Sequence, residues 1–115
     1  MSQLGRALRA YAAATQARDG RAQEAELFRH ANALLRQARQ GDARTRARAL
    51  ADNARLWNAV IHLLHDPANL LPDRLRAAIV SVGLTVQREM RAQAPDFDFL
   101  IAVNENIAAG LAPGG

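Results

Sequence analysis

The sequence predicts an all-α protein: a compact bundle of about five helices forming a single domain over residues 1–115. Three observations predict it. Apolar residues return at intervals of three and four along most of the chain, the period of a helix with one buried face. Hydrophobic residues reach 50% but aromatics only 4%, because Ala supplies much of the total. Ala is the strongest helix former and lets neighbouring helices approach closely. β-branched residues are few and fall in short runs, which disfavours a sheet. A chain of 115 residues is long enough to bury one real core.

The first helix is expected over 2–18, with Ser2 as N-cap and Leu4, Leu8, Tyr11 and Thr15 on one face. Asp19 and Gly20, a pair that favours turns, should end it. A second helix follows over 21–40 and carries two adjacent stripes: Ala25, Phe28, Asn32 and Leu35, then Leu27, Ala31, Leu34 and Ala38. Glu24 and Glu26 near its start and Arg36 and Arg39 near its end suit the helix dipole. Gly41 fits a C-terminal stop and Asp42 the next N-cap.

The third helix, 43–64, repeats Ala43, Ala47, Leu50, Ala54, Trp57, Ile61 and Leu64 without a miss. Ala49, Leu56, Val60 and Leu63 add a second stripe, so this helix needs neighbours on two sides. Pro67 and Pro72 bracket a loop, because each disfavours helical geometry in the residue before it. Pro72 also suits the first turn of a fourth helix over 72–93, where Ser81 and Gly83 allow another helix close. Pro95 stops that helix, and Asp96 caps a fifth over 97–111; Ala112 to Gly115 reads as a frayed tail. Of the five, the first is the one expected to lie outside the core.

The residues offer no catalytic centre. There is no Cys, so disulfides and thiolate metal sites are excluded. His62 and His65 are three apart near a helix end, but His30 is the remaining imidazole and a zinc site needs three or four converging ligands. No glycine-rich phosphate loop or glycine-flanked Ser nucleophile is present. The expectation is a non-enzyme with no metal, cofactor or small-molecule substrate. No apolar run approaches the roughly 18 residues of a membrane span, and residues 1–15 lack a signal-peptide core. A cytoplasmic protein is expected.

All fifteen basic residues are Arg. Arg29, Arg36, Arg39, Arg44, Arg46 and Arg48 cluster against Asp42 alone, a pattern able to bind RNA phosphates but without interleaved aromatics for base stacking. Asn32, Asn53 and Asn104 each interrupt an apolar face. A buried amide must find partners or cost on the order of 1–3 kcal/mol. Two readings stand side by side: hydrogen bonds between helices, or amides lining a groove for a peptide together with Leu100 and Ile107.

A longer ordered set of residues carries a family resemblance. It comprises Asn53-Ala54-Arg55-Leu56-Trp57, Asn69-Leu70-Leu71-Pro72, and Leu75-Arg76-Ala77 with Ile79 and Ser81. Asp96-Phe97, Leu100-Ile101, Asn104, Ile107 and Ala109-Gly110-Leu111 continue it, and Tyr11 and Glu24 to Phe28 precede it. This series resembles the flagellar biosynthesis regulator FlaF family over nearly the whole chain. Residues 36–49 depart from the pattern, so no family role passes to their arginines. The resemblance implies a small helical protein of alphaproteobacteria needed for flagellin production or export, which acts with the regulator FlbT and engages flagellin. A type III secretion chaperone or adaptor is the expectation. The alternatives are a regulator of flagellin messenger RNA and a scaffold that pairs with FlbT. The resemblance marks Asn53, Leu56, Trp57, Asn69, Pro72, Leu75, Arg76 and Asn104 as signature residues with mainly structural duties.

Overall fold

A computed structural model of the chain describes residues 3–111, apart from the side chains of residues 3 and 10–19. The Ser2 cap, the placing of Tyr11 and Thr15 on the first stripe, and the 112–115 tail therefore lie outside the described residues. Four α-helices account for the fold: α1 (Gln3–Ala38), α2 (Ala43–Leu64), α3 (Asp73–Met90) and α4 (Phe97–Leu111). The all-α class is as the sequence predicts. The helices expected over 2–18 and 21–40, however, form one continuous 36-residue helix through Asp19 and Gly20. The Asp-Gly turn preference is local, and the Ala-rich flanks on both sides favour helix strongly enough to carry it through. A rise of 1.5 Å per residue makes α1 about 54 Å long, which accounts for most of the 61 Å long axis of a molecule only 23 × 20 Å across.

The C-terminal half of α1 is the half that packs. It buries Ala25, Phe28, Ala31, Asn32, Leu35 and Ala38, the stripe the sequence shows. Its N-terminal half projects, with Leu4 69% and Leu8 60% exposed. The connection to α2 is tight. The Gly41 N–H donates to Ala38 O, and the Asp42 carboxylate caps α2 by accepting from Thr45 N–H at 2.8 Å. That backbone donor is the main reason the Asp42 carboxyl sits below its ordinary pKa; the Thr45 side chain, the Arg44 N–H and the Arg48 charge act in the same direction.

Helix α2 spans the predicted residues and has α1 on one side and α3 on the other. Helix α4 lies antiparallel to α1, with Arg39 beside Asp98 at one end and Asn32 bonded to Ile101 O further along. Helix α3 starts one residue later than expected and ends at Met90 rather than Gln93, because the four residues before Pro95, 91–94, leave the helix as turn and bend. The loop before it is tied down by Asx-type bonds. Asn69 accepts from Leu71 N–H and donates to Leu63 O, and Asp66 accepts from Ala68 N–H. The Asp96 carboxylate caps α4 through Phe99 N–H, while its own N–H donates to Glu89.

Gly83 decides how closely α3 sits on α2. A Cβ there would lie 2.9 Å from Ile61 Cδ1 and 3.0 Å from Trp57 Cε3. Ile61 can rotate away, but the indole is wedged in the core and cannot. Gly83→Ala is therefore expected to cost about 1–3 kcal/mol through overpacking, offset by up to about 1 kcal/mol of helix propensity. Urea unfolding checks it; a raised midpoint would mean that α3 can shift outward at no cost.

Candidate functional site

Two features stand out: a chain of buried amides in the core and an apolar groove beside it. The amide chain begins at Trp57, which is fully buried and meets Phe28 edge-on, ring centroids 5.4 Å apart at 71°. Its indole N–H donates to Asn104 Oδ1 at 2.9 Å. Asn104 Nδ2 donates to Asn53 Oδ1 at 2.8 Å, and Asn53 Nδ2 reaches the Met90 sulfur at 3.2 Å. This chain joins α2, α4 and α3 by directional bonds, which an all-apolar core would lack.

Asn53 and Asn104 are 0% exposed, Leu100 is also 0%, and Asn32 is 2%. Four of the five residues proposed from sequence as groove walls thus face the interior of the bundle in this structure, and the amides bond to one another or to a helix carbonyl. The fifth, Ile107, is half-buried and does border an open groove. Asn32 differs from the other two amides. It donates to Ile101 O at 3.0 Å, but its Oδ1 is buried with no partner among the described residues.

The groove runs between α1 and α2 and is closed at its end by the loop before α3. Leu27 and Phe28 form one wall, Leu56, Val60 and Leu63 the other, and Leu71, Ile79, Ile107 and Leu111 the floor and end. It encloses about 70 Å³. Leu27 remains 56% exposed and Leu63 48%, so its rim presents large apolar side chains to solvent. The sequence carried a signal for it in the second stripes, Leu27 on α1 and Leu56, Val60 and Leu63 on α2. These widen the apolar faces beyond what the neighbouring helices cover.

One carboxylate borders this groove. Glu24 is partly buried, and burial raises its pKa above the ordinary value, with the charge of Arg21 partly opposing. An acid with a raised folded-state pKa binds more protons folded than unfolded. Its contribution is therefore unfavourable when ionised near neutrality and improves as pH falls through the raised value towards the unfolded value of about 4.3. Glu24→Gln is expected to raise the melting temperature at neutral pH and to have less effect in the acid range. Thermal unfolding at the two pH values checks this, and an equal shift at both would contradict it.

The Arg cluster is largely occupied with packing. Arg36 pairs with Glu105, Arg39 with Asp98 at 2.5 Å, and the Arg46 guanidinium lies 5.1 Å above the Phe97 ring. Each ties the α1–α2 corner to α4, a role invisible in sequence because the partners lie some fifty to seventy residues away. The remaining signature residues hold local structure: Asn69 in its loop, Pro72 at the N-cap position of α3, and Arg76 paired with Asp73. Leu75 is 42% exposed. His62 and His65 are both exposed, and among the described residues no His, Asp or Glu group of three is placed to hold a metal ion. No described helix is long and apolar enough to cross a membrane.

Such a bundle, with a bonded core and an open apolar cleft, is a small all-α protein. The model of the family described as flagellar protein FlaF matches residues 7–111, and the chain belongs to that family. No curated protein and no solved structure matches it.

Proposed function

We propose that this flagellar protein is a non-catalytic cytoplasmic chaperone or secretion adaptor that binds flagellin in the α1–α2 groove. The observation that carries the reading is the exposed apolar rim of Leu27 and Leu63 over a groove floored by Leu71, Ile79 and Ile107. An amphipathic segment that is disordered before assembly buries its apolar face in such a groove as it folds, and this is how helical grooves hold helical peptides. The terminal segments of flagellin have that character, and membership of a flagellar family makes flagellin the natural occupant. Effects on flagellin production then follow from its retention or release.

The RNA reading draws less support, because Arg36, Arg39 and Arg46 are engaged with Glu105, Asp98 and Phe97. A pull-down with purified flagellin and with its terminal truncations tests the proposal. Capture of the full-length protein that is lost on removing one terminus is expected. No capture at about micromolar concentration, equivalent to roughly 8 kcal/mol of binding, would end it. Co-purification with FlbT in the absence of flagellin would favour the scaffold reading instead.

A further inference from the structure

Met90 joins the buried amide chain to the protein surface. It is the last residue of α3, and Asn53 Nδ2 reaches its sulfur at 3.2 Å. The protein has no Cys, so apart from Met1 this thioether is its only sulfur. Asn53 is fully buried, and its amide N–H donates to that sulfur. A thioether accepts weakly compared with an amide oxygen, so this bond is the weakest in the amide chain. Met90 itself is only half-buried. Beside it α2 and α3 part to leave a cleft of about 350 Å³, walled by Leu50, Ala54 and Gln87 and rimmed by the polar Asn58 and Arg91. Gln87 donates to Asn58 across this seam at 2.6 Å. A space of that size admits several water-sized molecules, so a small polar reagent has a route from solvent to Met90 in the folded protein.

We propose that Met90 is a site of oxidation by peroxides, and that its sulfoxide unlatches α3 from the amide chain. A lone pair of the thioether sulfur attacks one peroxide oxygen, the O–O bond breaks and an S–O bond forms. With hydrogen peroxide, the proton of the attacked oxygen passes to the departing hydroxide, which leaves as water. The sulfur gives up two electrons and the peroxide takes them. The new oxygen has two places to go. On the Asn53 side a 3.2 Å separation leaves no room for it, so α3 must move outward. On the cleft side it fits, but the sulfur then carries partial positive charge and accepts poorly from Asn53. In both cases a buried N–H loses its acceptor, and Asn53 turns to find another. Asn104 donates to Asn53 and accepts from Trp57, so the disturbance passes along the amides to the indole. The single Trp is therefore a reporter of the state of Met90.

Hydrogen peroxide added to the full chain tests this. Peptide mass spectrometry should show Met90 gaining one oxygen in the folded protein within about tenfold of its rate in urea, as befits a thioether within reach of solvent. The oxidised protein should melt at least about 3 °C below the untreated one, and its Trp57 emission should change. Met90→Leu conserves volume but lacks the sulfur, and is expected to fold. The same peroxide treatment should leave its melting temperature and emission where they were. Protection of Met90 by more than about a hundredfold relative to urea would mean that the sulfur is reached only through unfolding, and would overturn the proposal. A sulfoxide that leaves melting and emission unaltered would overturn it too, as would a Met90→Leu protein that responds to peroxide as the parent does. No part of this test contains flagellin, so its failure leaves the proposed function standing.

Discussion

Trp57→Ala is expected to destabilise the protein by about 3–5 kcal/mol, a large share of the roughly 5–15 kcal/mol that holds a typical domain together. Three contributions are lost at once. The indole is 0% exposed and fills the space between Phe28 and Gly83, so truncation opens a cavity that rigid helices cannot close. The edge-to-face contact with Phe28 disappears, worth about 0.5–1.5 kcal/mol beyond its burial. Asn104 Oδ1 loses the indole N–H that satisfies it. Circular dichroism in urea is the suitable readout, because the substitution removes the only Trp and with it the fluorescence signal. Trp57→Phe separates the contributions. It keeps most of the packing but removes the N–H, and is expected to cost about 1–3 kcal/mol, the penalty of an unsatisfied buried acceptor. A Phe variant as stable as the parent would mean that the hydrogen bond contributes nothing.

Asn104→Ala is the second large effect. This residue accepts from Trp57 and donates to Asn53, so its removal orphans two buried groups, the indole N–H and Asn53 Oδ1. At about 1–3 kcal/mol for each, the expected loss is roughly 2–6 kcal/mol. Asn32→Ala should cost less. Asn32 gives one hydrogen bond to a carbonyl already within α4, and truncation also removes an oxygen buried without a partner. A double-mutant cycle on Asn53 and Asn104 should show coupling of about 0.5–3 kcal/mol, as befits residues in direct contact. Additive losses would mean that the two amides act separately and that the chain is a geometric coincidence.

The amides illustrate what sequence can and cannot convey here. That Asn32, Asn53 and Asn104 interrupt apolar faces is plain from the spacing, and so is the need for partners. Which partners they find depends on the rotation of α2 against α4, and that in turn is set by Trp57, Phe28 and Gly83 together. Helix ends fixed by capping chemistry were readable: Asp42 and Asp96 cap α2 and α4 at the expected residues. The Asp19–Gly20 junction was misread because its turn preference is weaker than the helix-forming tendency of the flanks. The Arg36, Arg39 and Arg46 contacts could not be read at all, since no periodicity links them to Glu105, Asp98 or Phe97. The groove lay between. Its second stripes were visible, but whether neighbouring helices would cover them was not.

That uncovered groove carries the functional account, and a binding titration on a rim variant tests it most directly. Leu63→Glu places a charge where an occupant's apolar face should sit, on a residue already 48% exposed, so the bundle should unfold at nearly the parent temperature. Purified flagellin, titrated against the parent and against this variant, should bind the variant at least tenfold more weakly, a loss of about 1.4 kcal/mol or more. Equal affinity for the two, with both folded, would contradict the assignment of flagellin to the α1–α2 groove.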